Sequence, residues 1–255
     1  MEDVKKAFEA LISVMHELRE KCPWDQKQTN DTLRYLTIEE CYELSDAIIS
    51  NSPDGIKEEL GDILLHVIFY SVIANEKKEF TLTEVINNQR LKLIERHPHI
   101  YGDVKVDNEK DVKRNWELLK LKEKNKKSIL SGVPKSLPSM LKSYRILEKV
   151  KGVGFDFENS SQAFDKVIEE INEFNLEFKN NNDDKASDEF GDILFALISY
   201  AQNVGINAVN ALEKTNKKFI KRFHDMEQAI IKDNKHISDY SSEELEFLWK
   251  KKKSF

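Results

Sequence analysis

Glu59-Leu60-Gly61-Asp62-Ile63-Leu64-Leu65-His66-Val67-Ile68-Phe69-Tyr70 runs two carboxylates, three residues apart, straight into an apolar segment interrupted only by His66. Residues three apart lie on one face of a helix, so Glu59 and Asp62 project together. The following residues are apolar on nearly every side of such a helix, which places it in an interior. Glu189-Phe190-Gly191-Asp192-Ile193-Leu194-Phe195-Ala196-Leu197-Ile198 repeats the arrangement 130 positions later. Upstream, Glu39-Glu40-Cys41-Tyr42-Glu43 recurs at the same offset as Glu169-Glu170-Ile171-Asn172-Glu173. Lys92 and Arg96 match Lys218 and Arg222 at an offset of 126, Trp24-Asp25 matches Phe155-Asp156, and Trp116 and Trp249 close the two halves. Two carboxylate motifs at one shared offset, followed by a basic pair, identify an internal duplication.

The rest of the chain fits an all-α fold of two tandem helical-bundle units. Among 255 residues there are only eight glycines and five prolines, too few turn formers for many short strands. Helical periodicity predicts helices near 3–21, 31–50, 54–76, 81–96, 109–126, 138–150, 160–180, 184–203, 206–230 and 241–252. Ser52-Pro53 is a favourable helix start, because proline there gives up an N–H that has no intrahelical partner. The polar segment 122–138, with Pro134 and Pro138, is the expected linker between units 1–121 and 139–255.

Composition excludes several classes. A formal charge of −6 argues against a broad basic surface for nucleic acid. The run Lys250 to Lys253 is a solvated tail. Cys22 and Cys41 match no zinc or redox spacing, as expected for reduced cytoplasmic thiols. The N-terminal segment has helical apolar spacing (Val4, Ala7, Phe8, Leu11, Ile12, Met15) in place of a signal peptide. The longest apolar stretch, Ile63 to Ala74, is too short to span a bilayer, so no membrane partner is expected. Gly152-Val153-Gly154 lacks the rest of a phosphate-loop pattern.

The carboxylates carry the chemistry. Glu40 with Glu43, and Glu170 with Glu173, share a helix face, as do the pairs on the following helix. Antiparallel packing of the two helices would bring four carboxylates together in each half. One pair alone reads as a solvated face or a partner for the helix dipole. The full quartet, seen twice beside an apolar run, needs a positive charge to neutralise it, because an uncompensated buried charge costs several kcal/mol. An all-oxygen donor set without histidine or cysteine suits a hard cation such as Mg²⁺, with Mn²⁺ a possible substitute.

Magnesium in a carboxylate cage usually meets phosphate. Lys92 with Arg96, and Lys218 with Arg222, lie one helical turn apart and could hold phosphate oxygens. Lys166 and Lys185 precede Glu170 and Glu189 by one turn, where an ordinary ion pair and a phosphate contact are equally open readings. Trp249 could stack on a base. Helices such as 63–74 are apolar on too many faces for a unit of about 110 residues to cover. A symmetric partner, either a second chain or the sibling repeat, would bury them.

These segments resemble the MazG family of nucleoside triphosphate pyrophosphohydrolases. The carriers are Cys22-Pro23-Trp24-Asp25 with Gln28-Thr29, the two Glu-Glu-x-x-Glu motifs, Glu59-Leu60-Gly61-Asp62, Arg96-His97-Pro98-His99 and Val153-Gly154-Phe155-Asp156. The resemblance covers nearly the whole chain. It implies an all-α fold whose units dimerise, hence a homodimer, and Mg²⁺-dependent hydrolysis of NTPs or dNTPs to the monophosphate and pyrophosphate. It also implies that the C-terminal unit is the main catalytic one. There the metal ligands would be Glu170, Glu173, Glu189 and Asp192, and the nucleotide contacts Lys166, Lys185, Lys218, Arg222 and Trp249. The catalytic set would be Glu169, Glu170, Glu173, Lys218 and Arg222. A second site in the N-terminal unit would comprise Glu39, Glu40, Glu43, Glu59, Asp62, Lys92 and Arg96. Asn172 departs from the pattern, since family members often carry an acid there. Related all-α pyrophosphatases act on dUTP or phosphoribosyl-ATP, and a non-catalytic helical scaffold is the alternative outside enzymology.

Overall fold

The structure is a computed structural model that describes residues 1–106 and 128–251, with isolated positions between them. The expected helix 109–126 and the first part of the expected linker (122–127) lie mostly or wholly outside the described residues, as do Lys252 and Lys253. Ten helices and no strand are found among the described residues; nine of them match expected segments, and the short helix Pro98–Tyr101 lies outside those. The chain divides into two compact units, Met1–Val106 and Asp107–Phe255. No helix among the described residues is long and apolar enough to cross a membrane.

The first unit contains α1 (Glu2–Lys21), α2 (Asn30–Ile49), α3 (Pro53–Glu76), α4 (Leu82–Arg96) and the short α5 (Pro98–Tyr101). Local chemistry sets the helix starts. Thr29 accepts from the Thr32 amide at α2, Ser52 from the Gly55 amide at α3, where Pro53 occupies the first turn, and Thr81 forms a reciprocal box with Glu84 at α4. Each cap satisfies an amide that the helix itself leaves orphaned. The core gathers Met15 from α1, Leu33 from α2, and Ile68, Phe69, Val72 and Ile73 from α3, with Phe8, Leu11, Ile12, Leu36 and Leu82 packed around them.

One polar clasp closes this core. Arg19 forks onto Glu76, with Nε and Nη2 donating to Oε1 and Oε2 at 2.8 and 2.9 Å. Its Nη1 also donates to the backbone carbonyls of Asp25 and Gln28, and its guanidinium lies 5.8 Å from the centre of the Phe69 ring. The end of α1, the turn at Asp25–Lys27 and the end of α3 are thereby tied through one side chain. The hydrogen bonds from Arg19 hold the Glu76 carboxyl below its ordinary range.

The second unit contains α6 (Ser139–Lys151), α7 (Ser160–Lys179), α8 (Asp183–Asn203), α9 (Ala208–Lys232) and α10 (Ser242–Lys251). The turn at Ile129–Gly132, inside the expected linker, packs against α6. Helix α7 pairs with α8 as α2 pairs with α3. Both pairs are joined by the same device: Asn51 and Asn181, 130 positions apart, adopt φ of 52° and 53°. The next amide in each case reaches back to the preceding helix, Ser52 to the Ala47 carbonyl and Asn182 to that of Glu177. Asparagine tolerates the left-handed conformation that such a helix ending requires. The two cores differ in closure. The five largest fully buried side chains, Phe69, Met15, Leu33, Ile68 and Ile73, all belong to the first unit. In α8 the buried positions are Ala186, Ile193, Ala196, Ile198 and Ser199.

Candidate metal centre

Helices α2 and α3 bring Glu40, Glu59 and Asp62 together, each half-buried, so that one carboxylate oxygen from each lies within 4.8 Å of the others. Helices α7 and α8 do the same for Glu170, Glu189 and Asp192. A second trio, Glu169, Glu170 and Glu173, overlaps the last through Glu170, which is buried to 7% exposure. The convergence expected from antiparallel pairing is therefore present in both units. The four carboxylates of a half do not share one point. Glu43 stands outside the Glu40, Glu59 and Asp62 trio and its charge acts on Glu59, while Glu173 stands outside the Glu170, Glu189 and Asp192 trio and feels the charges of Glu170 and Glu189.

The electrostatics record the crowding. Partial burial, then the charges of Asp62 and Glu43, push the Glu40 carboxyl above its ordinary value, while a hydrogen bond with Glu59 works the other way. Partial burial and the charges of Glu43 and Glu40 raise Glu59. In the second unit, some loss of hydration at the exposed Glu173 carboxyl and the charges of Glu170 and Glu189 raise it, with Lys166 opposing. Clustered carboxylates that retain protons in this way suit a divalent cation. The donor atoms are all oxygens, they converge from two rigid helices, and no histidine nitrogen belongs to any of the three groups.

A pH dependence follows. The folded chain holds protons on Glu40, Glu59 and Glu173 to higher pH than the unfolded chain does. Without metal, its stability therefore falls as pH rises from the ordinary carboxylate value of 4.5 through the raised values, and the loss is complete above them. A cation competes with those same protons. The rise in melting temperature produced by Mg²⁺ should accordingly be larger at pH 7.5 than at pH 4.5; an equal rise at both would contradict the assignment.

The basic residues are placed unevenly. The Lys166 ammonium lies 2.6 Å from Glu169 Oε1 and 2.7 Å from Glu170 Oε1, and these partners raise its pKa. Lys185 is exposed, with its nearest carboxylate that of Glu177 at 4.0 Å, not that of Glu189. Lys218 is exposed on α9. Arg222 lies 4.7 Å from the Trp249 ring centre, and Phe219 lies 4.8 Å from that ring. Arg222 and Phe219 thus pack against Trp249 between α9 and α10, whereas Lys166 is in direct contact with the acidic cluster. In the first unit, Glu39 is exposed on α2, Lys92 is exposed on α4, and Arg96 is half-buried at the end of that helix.

His66 was legible only as an interruption of the apolar run. It is buried, its Nδ1 has no hydrogen-bond partner, and burial lowers its pKa against the opposing pull of Asp62. A polar residue inside an otherwise apolar segment was the available signal. Its counterpart 130 positions later is Ala196, so the two units are not chemically identical.

The profile of the MazG nucleotide pyrophosphohydrolase domain matches residues 28–101 and 158–226, which contain both acidic clusters. The nucleoside triphosphate pyrophosphohydrolase/pyrophosphatase MazG of Thermotoga maritima is 38% identical over 99% of this chain and 98% of its own. The nucleoside triphosphate pyrophosphohydrolase of Escherichia coli K12 is 35% identical over 96% of this chain and 97% of its own. The uncharacterized protein YabN of Bacillus subtilis is 41% identical over 96% of this chain but only 51% of its own length.

Proposed function

Because the chain belongs to the MazG family of nucleotide pyrophosphohydrolases, we propose that it hydrolyses nucleoside triphosphates to the monophosphate and pyrophosphate at a magnesium centre, with manganese a workable substitute. The observation that carries this reading is the pair of repeat-related carboxylate trios, each drawn within 4.8 Å by two helices of one hairpin. In the second unit Glu170, Glu189 and Asp192 would hold the ion, with Glu173 beside them. When bound, magnesium supplies Lewis acidity toward the phosphoryl oxygens.

The remaining work falls to the chain's own side chains. Glu169, exposed at the rim of the cluster, orients the attacking water and accepts its proton. Attack at the α-phosphorus breaks the bond to the bridging oxygen and releases pyrophosphate. Lys218 and Arg222 stabilise the charge that develops on the phosphates, Lys166 and Lys185 contribute further phosphate contacts, and Trp249 offers an aromatic face to the base. Glu39, Glu40, Glu43, Glu59, Asp62, Lys92 and Arg96 form the corresponding set in the first unit.

The working form is proposed to be a cytoplasmic homodimer. Leu60, Leu64 and Val67 lie on one face of α3 at 52%, 39% and 40% exposure, and their counterparts 130 positions on, Phe190, Leu194 and Leu197, lie on one face of α8 at 51%, 50% and 44%. An exposed apolar stripe of this kind, present in both units, asks for a partner, and like stripes are suited to self-complementary pairing about a two-fold axis.

The test is the identity of the products. Nucleoside triphosphate should yield monophosphate and pyrophosphate in equal amounts, turnover should stop with EDTA, and it should return with Mg²⁺. Orthophosphate without pyrophosphate would overturn the reading. Light scattering that returns the mass of one chain at micromolar concentration would overturn the pairing.

A further inference from the structure

The two units answer the same electrostatic problem differently. In the first, the acidic trio has no lysine at the position equivalent to Lys166. Leu36 stands there, packed against the apolar core. Glu40, Glu59 and Asp62 there lie with one carboxylate oxygen each within 4.8 Å of the others. In the second, the Lys166 ammonium bridges Glu169 and Glu170 at 2.6 and 2.7 Å. Glu170 is the residue shared by both acidic trios of that unit and the most buried among them. The lysine therefore sits on the carboxylate that the metal reading needs most.

We propose that Lys166 is a built-in exchangeable counter-ion of the second site. Without metal it holds the cluster's charge in place of the missing cation. When a divalent ion engages Glu170, Lys166 is released from that carboxylate and becomes available to the triphosphate. A carboxylate has lone pairs enough for two partners, but an ammonium and a divalent ion on one carboxylate repel each other at a separation of a few ångströms. Lys166 sits on a flexible four-carbon stem on a half-buried helix face, so the head group can swing away while the helix stays in place. Metal binding thus creates a phosphate contact that the metal-free protein has engaged elsewhere, and nucleotide recruitment becomes coupled to metal occupancy. The first unit, with Leu36, has no such coupling. This inference rests on the metal-centre reading above.

The test is magnesium titration calorimetry, without nucleotide, on the full chain carrying Glu59→Gln and Asp62→Asn to silence the first site. In that background Lys166→Met should bind Mg²⁺ more tightly, on the order of tenfold, because the ion no longer displaces a resident charge. Lys166→Arg should keep the affinity of the parent. Methionine is a good helix former, and a thermal melt confirms that each variant is folded. As a second readout, labelling by an amine-reactive ester followed by mass spectrometry should increase at Lys166 on addition of Mg²⁺, while exposed Lys185 serves as the reference. Magnesium binding that is unchanged or weakened in Lys166→Met, or unchanged labelling of Lys166, overturns the exchange and leaves the metal centre standing. No magnesium binding in the parent and the variant alike overturns both.

Discussion

Glu170→Gln should lower pyrophosphate release by on the order of a thousandfold, with Glu40→Gln, its counterpart 130 positions earlier, having a far smaller effect. Glu170 belongs to both acidic trios of the second unit and is 7% exposed. Replacing one of its oxygens with an amide removes a charged donor at the centre of the cluster while preserving shape. Loss of several kcal/mol of transition-state stabilisation from a weakened metal site corresponds to a rate loss of that order. Melting in the absence of metal separates this from misfolding: the amide relieves carboxylate repulsion on Glu173, although Lys166 loses one charged partner. Equal losses in both variants would mean that both units turn over substrate interdependently. Unchanged turnover in Glu170→Gln would remove the second unit from the chemistry.

Phe69→Ala should be the costliest single core truncation in the first unit, at about 3–5 kcal/mol. The Phe69 ring is 2% exposed, at the centre of a cluster drawn from three helices. It also lies under the Arg19 guanidinium, so its loss disturbs the clasp that joins α1 to the end of α3. A destabilisation of that size would lower the melting temperature of a unit of roughly 100 residues by on the order of 15–25 °C. Differential scanning calorimetry that shows a drop of less than a few degrees would contradict the packing described. Because the two units have separate cores, the transitions should be followed individually.

Much of this was legible in the sequence because it is local. The start at Ser52-Pro53 and the apolar periodicity place α3 and α4 within a residue of the expected bounds. Antiparallel pairing of neighbouring helices then follows from short connections, and with it the convergence of Glu40 with Glu59 and Asp62, and of Glu170 with Glu189 and Asp192. What spacing could not decide depends on helix rotation and side-chain reach. Lys185 lies one turn before Glu189, yet its head group goes to the side of Glu177 on the neighbouring helix. The left-handed Asn51 and Asn181 escaped notice because Ser50-Asn51-Ser52 and Asn180-Asn181-Asn182 look like generic polar turns. The Arg19 clasp joins residues 57 positions apart in sequence and had no periodic signal.

That pair of asparagine turns has a kinetic consequence. Each acidic trio is enclosed in a single helical hairpin, and its ligands are separated by about twenty residues, from Glu40 to Asp62 and from Glu170 to Asp192. Contacts this short in sequence close early in folding, since little loop entropy is lost in making them. During synthesis, the first cluster is complete once Glu76 has emerged, with nearly 180 residues still to come. A nascent chain therefore carries the acidic residues of the first hairpin before those of its sibling exist. At the proposed metal centre, a divalent cation would then serve the first half as a co-translational folding ligand before the second half exists.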